Sequence, residues 1–211
     1  MKEAECAAIE PGMYGWTGEG FTGYVNWEGT EGFVEDATFE LRDEGWMDWH
    51  NGTWVSGVWN NGEWYRGTWH NGTWKDGTWK GGTWENGLFL NGIWCNGDWK
   101  KGSWGDASDR PFCRLWRAGT WHGGIFRGGV WEKGIWKDGD WYEGIWHNGI
   151  WKGGIWHSGH WKDGDWLGGT WQAGQRLYIY WTDSGIGRGE WENASEPPVG
   201  SKDRRIENYE Y

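Results

Sequence analysis

Apolar residues recur at a fixed interval of five along most of this chain. From Trp49 to Trp104, and again from Trp116 to Trp171, every fifth residue is aromatic, and each run has eleven Trp and one Phe. A Gly stands two positions before every aromatic residue except the first of each run, so the unit is Gly-x-Trp-x-x. A short, constant period means that one small element is built repeatedly and buries its apolar residue only against neighbouring units. The pattern therefore predicts an elongated repeat architecture.

The repeats are predicted to be strands. Five residues advance an α-helix by about 140° beyond one turn, so the Trp side chains would scatter around a helix, and each Gly would cost about 1 kcal/mol. The residue before the aromatic one is β-branched in fifteen of twenty-two repeats, which favours strands. Pairs such as Asn71-Gly72 and Asp76-Gly77 are strong turn signals. We therefore expect an all-β fold with a ladder of Trp and Gly as its core.

The number of residues in each strand favours a β-solenoid over an open β-meander. Strands between two-residue turns need an even number of residues, and a five-residue unit leaves three. A solenoid with five-residue sides has no such conflict, because Trp and the preceding Gly both point inward and the coils stack about 4.8 Å apart. With four or five sides per coil, we expect about five or six layers and a stack on the order of 25–30 Å long.

Five segments can be distinguished along the sequence. Because the end units of a repeat protein would otherwise expose their apolar residues, atypical ends are expected as caps. The segments are an acidic, Gly- and aromatic-rich cap region (1–45), a first array (46–104), a linker that breaks the frame (105–115), a second array (116–193) and a polar tail (194–211).

Charge is concentrated at the N-terminal end. The net charge is −11, and residues 1–48 have twelve acidic and two basic side chains, whereas both arrays are nearly neutral. We therefore expect no nucleic-acid partner.

The three Cys are irregularly spaced and do not indicate a disulfide framework. The first residues lack the apolar core of a signal peptide and no apolar run is long enough to span a membrane, so we expect synthesis in the cytoplasm and no membrane partner.

The repeat resembles three known families. A large apolar residue two positions after a small one, at intervals of five, is similar to the pentapeptide-repeat β-helices, in which the large residue is Leu or Phe. The segment NGEWYRG at 61–67 looks like the core of a MORN repeat. As a whole, the chain most resembles the Gly-x-Trp tandem-repeat proteins of large tailed phages, which implies a structural, virion-associated protein. The likeness to pentapeptide repeats also implies a third possibility, an acidic DNA mimic that acts as an inhibitor.

No catalytic motif stands out, and we expect neither enzyme activity nor a cofactor. His157 and His160 flank the turn Ser158-Gly159 and are the candidates for a metal site, although a pair of His without a carboxylate is incomplete. Their positions also suit ordinary exposed polar residues.

The Trp ladder has two interpretations. As the core, it would be buried. As an exposed row, it would form a platform on which sugar rings stack. The candidate residues for sugar stacking are in the second array: Trp146, Trp151 and Trp156.

Aliphatic residues on the opposite face of the second array suggest an interface. They precede the aromatic residue and point away from it, so they would form an outer apolar stripe. The candidates are Ile125, Val130, Ile135, Ile145, Ile150 and Ile155. The sequence thus favours a non-enzymatic structural or interaction protein that docks on protein partners or self-assembles, with a carbohydrate- or cell-surface-binding module as the alternative.

Overall fold

The computed structural model shows a single β-solenoid. It describes residues 7–9, 17–27, 30–42, 46–105, 114–181 and 187–193. All regular structure in these ranges is β-strand, and the predicted all-β solenoid is confirmed. The alternative of an open meander is wrong, because successive coils pair in parallel.

Each coil has three sides of five residues. Strand β4 (Trp46–Trp59) forms all three sides of the first coil, which we call A, B and C in chain order. Later coils place one short strand on each side. Side A has β5 (Asn61–Trp64), β8 (Thr78–Trp79), β11 (Gly92–Trp94), β14 (Arg114–Trp116), β17 (Val130–Trp131), β20 (Ile145–Trp146) and β23 (His160–Trp161). Side B has β6 (Thr68–Trp69), β9 (Thr83–Trp84), β12 (Asp98–Trp99), β15 (Thr120–Trp121), β18 (Ile135–Trp136), β21 (Ile150–Trp151) and β24 (Asp165–Trp166). Side C has β7 (Thr73–Trp74), β10 (Leu88–Phe89), β13 (Ser103–Trp104), β16 (Ile125–Phe126), β19 (Asp140–Trp141), β22 (Ile155–Trp156) and β25 (Thr170–Trp171).

The expectation of four or five sides per coil is wrong. Strands pair with partners about 15 residues away, so the chain makes about eight turns. At a rise of about 4.8 Å, eight coils form a stack on the order of 38 Å long. In each step, the residue before the aromatic one donates its N–H to the Gly carbonyl of the coil below, and the residue after it donates to the Trp carbonyl. These bonds measure 2.7–2.9 Å in the stretch from Thr83 to Lys100.

Glycine at the corners explains the three-sided shape. Three corners must each turn the chain through about 120°, more sharply than the corners of a square, and Gly alone enters the required backbone region freely. The repeat Gly residues have positive φ, for example +124° at Gly87 and +121° at Gly102. There is also no room for a side chain, because a Cβ on Gly102 would collide with the carbonyl oxygen of Gly87 in the coil below.

The core consists of stacked aromatic rings. Along each side, rings of successive coils stack almost parallel, as in Trp69 and Trp84 with centroids 4.8 Å apart and planes at 6°. Rings on neighbouring sides meet edge to face, as in Trp79 and Trp84 at 5.9 Å and 76°. Both arrangements suit the charge distribution of aromatic rings. From Trp49 to Trp156, every repeat aromatic side chain is fully buried.

The two arrays form one continuous stack. Strand β11 pairs with β14 in register, and Trp94 stacks on Trp116 with centroids 4.9 Å apart. These partners are 22 residues apart instead of 15, so the sequence between them has an insertion of seven residues relative to the other coils. Arg114 occupies the corner that Gly fills elsewhere; it is buried and donates from Nη1 to the Leu90 carbonyl at 3.2 Å.

Strands with antiparallel pairing flank both ends of the solenoid. At the N-terminal end, β3 (Thr30–Leu41) lies between β2 (Thr17–Trp27) and the first coil and is antiparallel to both, and β1 (Ala7–Ile9) pairs in parallel with β2. Phe39 of β3 stacks on Trp49 at 5.8 Å, so aromatic packing continues beyond the first coil. At the other end, β26 (Gln175–Trp181) extends side A after β23 and pairs with β27 (Gly187–Asn193). The predicted polar tail lies outside the described residues.

Candidate interaction surface

Two side chains per coil point outward from each side: the residue before the aromatic one and the residue after it. This follows from the alternation of side chains along a strand. Successive coils place equivalent residues in columns with a spacing of about 4.8 Å. Each side of the solenoid is therefore a narrow, flat, two-column surface, and the chemistry of the outside is set by which residues share a column.

The six aliphatic residues predicted as one stripe are divided among the three sides. Each side receives two of them, and none of the six is fully exposed or fully buried. Val130 and Ile145 are register partners on side A, and Ile135 and Ile150 are register partners on side B. On side C, Asp140 lies between Ile125 and Ile155.

A longer aliphatic column lies on side A. Register pairs connect one aliphatic residue in each of four successive coils. We call this column the side A ladder: Ile93, Leu115, Val130 and Ile145. Sequence inspection missed Ile93, which is in the first array, and Leu115, which follows the insertion. An alignment at a period of 15 with the seven inserted residues removed would have found both.

The second column of side A has mixed chemistry beside this ladder. Arg117 and Glu132 are exposed, and Cys95 is half-buried with a free thiol. The next residue in the column, His147, has its pKa lowered by burial and by the nearby Lys162, whose Nζ lies 3.3 Å from Nε2.

Nearer the N-terminal end, side A has a polar network instead of aliphatic residues. The carboxylate of Glu63 accepts hydrogen bonds from Lys80 and Tyr65, both at 2.7 Å. The bond from Lys80 is the main reason that the pKa of Glu63 lies below its usual value. The Lys80 ammonium also lies 4.3 Å from the Tyr65 ring centroid, and the His50 ring stacks on Tyr65 at 5.2 Å. Both neighbours of this exposed aromatic ring are therefore side chains of the same column.

Side C has a similar column around His157. Its ring stacks on Tyr142 at 4.3 Å, Nδ1 lies 3.0 Å from Oε1 of Gln172, and Nε2 lies 3.3 Å from Oδ1 of Asp140. The other His of the predicted metal pair, His160, lies around the corner on side A. Within the described ranges, no three His, Cys, Asp or Glu residues are grouped so that they could hold a metal ion.

Side B is more polar and includes a column of basic residues that the sequence did not reveal as a group. Lys100, His122, Lys137 and Lys152 follow the aromatic residue in four successive coils. His122 is already engaged: its Nε2 lies 3.2 Å from Oδ1 of Asp98 and 3.5 Å from Nζ of Lys100.

The Trp residues predicted as a sugar-stacking platform are not available to a ligand. Trp146, Trp151 and Trp156 have no solvent-exposed surface. They belong to the core because the inward positions alternate strictly with the outward ones. The interpretation of the Trp ladder as core is confirmed, and the exposed row is wrong.

No family model matches the chain, and neither curated proteins nor solved structures give a match. Across the described residues, no helix is long and apolar enough to cross a membrane.

Proposed function

We propose that the chain is a non-enzymatic structural and interaction protein that docks on a protein partner through side A. The side A ladder is the observation behind this proposal. Solvent-facing aliphatic residues in four successive coils form the longest uninterrupted aliphatic column on the three sides, and such strips are typical of interfaces. The strip is carried by short strands whose Trp side chains are buried and stacked, so that little order has to be gained on binding.

The setting that we propose is a phage virion or a similar assembly. The support is the resemblance of the Gly-x-Trp repeats to proteins of tailed phages. Mass spectrometry of purified particles tests this setting. The protein should copurify with the particles, and a chain with Val130→Asp and Ile145→Asp should fold but be absent from them. Wild-type protein found only outside the particles would contradict the setting.

The carbohydrate-binding alternative has less support. Its three candidate Trp are buried, and the rings of Tyr65 and Tyr142 already stack on neighbouring His side chains. A DNA mimic would need a continuous acidic side, whereas sides A and B both have basic residues among the outward positions.

A further inference from the structure

The side A ladder and the charged pair beside it are centred on the same point along the solenoid. The side A ladder has four members, and its centre lies between Leu115 and Val130. The residues that follow the aromatic position in these two coils are Arg117 and Glu132, which are exposed and opposite in charge. The same point is therefore the centre of the aliphatic column and of the charged pair.

A second copy of the chain, turned end for end, fits this arrangement. With side A facing side A and the midpoints aligned, Leu115 of one copy lies opposite Val130 of the other, and Ile93 lies opposite Ile145. Arg117 then lies opposite Glu132, and twofold symmetry produces this charge pairing twice. Such an interface, formed by the same patch on both molecules, is the usual way in which identical chains pair.

We propose that side A pairs two copies of this chain in antiparallel orientation; this inference rests on the proposed function and names the partner. A partner of side A needs an apolar column that can cover the side A ladder. Beside that column it needs an acidic group opposite Arg117 and a basic group opposite Glu132. Side A of a second copy meets all of these conditions. Side B has only two aliphatic residues in succession, and Asp140 interrupts those of side C.

The expected dimer is weak. Six solenoid coils overlap, from β8 to β23, and within them a strip about 15 Å wide with a rise of about 4.8 Å per coil buries on the order of 900 Å² in total. That area is characteristic of transient interfaces and is below what stable complexes usually bury. Beyond these coils, β26 of one copy lies opposite β5 of the other. At each end of these six coils Lys80 faces Lys162, and this repulsion, reduced by the ion pair of Lys80 with Glu63, further limits the affinity. We therefore expect association that depends on protein concentration and is absent at high dilution.

Charge reversal in separate chains tests the pairing. Sedimentation equilibrium of the full chain should show a monomer–dimer equilibrium, and Arg117→Glu or Glu132→Arg alone should weaken it at least tenfold. An equimolar mixture of the two variants should associate again as a heterodimer, because each contact then joins a carboxylate of one chain to a guanidinium of the other. Within each variant chain the two charges remain alike, so contacts inside one chain cannot produce this recovery. Weakened association that mixing does not restore would overturn the proposal.

A matched pair of aliphatic substitutions tests which side is used. Ile145→Thr on side A should weaken the dimer, whereas Ile150→Thr, in the next strand but on side B, should leave it unchanged. Circular dichroism of each variant should match the wild type. Equal effects of both substitutions, or a wild-type chain that stays monomeric at millimolar concentration, would overturn the dimer. Neither result bears on recovery from particles, so failure of the proposed function would be recognised separately.

Discussion

Two adjacent glycines offer a direct test of the corner geometry. Gly124 is a corner residue with φ of +109°, and a Cβ placed on it would collide with the carbonyl oxygen of Gly102 in the coil below and lie 2.8 Å from the Gly102 nitrogen. Gly123 has no such restriction, since the nearest atom to its Cβ would be the carbonyl oxygen of Lys100 at 3.7 Å. We predict that Gly124→Ala strongly destabilises the protein and that Gly123→Ala does not.

The magnitude follows from two contributions at Gly124. Holding an alanine at this φ costs about 1–2 kcal/mol. Relieving the clash means moving the coil away from the one below, which lengthens the 2.9 Å hydrogen bond from Ile125 N–H to the Gly102 carbonyl and costs about 1 kcal/mol more. The expected loss is about 2–3 kcal/mol. Gly123→Ala should be neutral or stabilising by about 0.4–1 kcal/mol, because it restricts only the unfolded chain.

Equilibrium unfolding in urea, followed by Trp fluorescence, measures both variants. The midpoint for Gly124→Ala should fall well below that of the wild type, and the midpoint for Gly123→Ala should be unchanged or slightly higher. Equal midpoints for the two variants would show that the corner does not contact the coil below, and the reasoning about three-sided coils would be refuted.

Three further predictions concern the core and the polar network. Trp151→Ala should cost about 3–5 kcal/mol in urea unfolding as a core truncation, whereas Trp151→Phe should cost clearly less, since Phe89 and Phe126 occupy equivalent positions; similar losses for both would argue against a stacked core. Because the pKa of Glu63 is lowered in the folded protein, mainly by Lys80, its ionised form stabilises the fold above the ordinary Glu pKa, and this contribution is lost as the pH falls through the lowered value. Glu63→Gln should therefore lower the unfolding midpoint at neutral pH and make it less sensitive to acid, and a midpoint with wild-type pH dependence would contradict this. Circular dichroism should show little helix and strong coupled bands from neighbouring indoles, and a helical spectrum would contradict the fold.

The sequence was sufficient to predict the sides of the solenoid but not their number. Alternation shows which residues point inward, so burial of Trp146 and the outward placement of its neighbours could be deduced from spacing. The angle at each corner depends on the positive φ of Gly and on three indoles meeting edge to face, and neither is visible in a five-residue period. Residues 134–146 are similar in sequence to residues 159–171, which lie 25 positions later, whereas strands pair about 15 positions apart, so sequence similarity between repeats does not reveal which coils are in contact.

The same limitation explains what was missed in the candidate surface. Outward aliphatic residues could be recognised from their position before the aromatic residue. Grouping them into columns requires the number of sides, so Ile145, Ile150 and Ile155 looked like one stripe although they lie on three sides. Leu115 was hidden by the insertion, which shifts the frame in the sequence while the stack of rings continues.

Cysteine pairing between coils tests the three-sided solenoid most directly. With the native Cys changed to Ser, one Cys replaces Thr120 and a second replaces Ile135, Asp140 or Ile145, which would be its neighbours in coils of three, four or five sides. Adjacent coils place partner Cα atoms about 4.8 Å apart, within the range that a disulfide spans. Under mild oxidation, the 120/135 pair should form an intramolecular disulfide rapidly and the other two should not. Rapid formation of the 120/140 or 120/145 disulfide, with 120/135 unreacted, would contradict the three-sided coil.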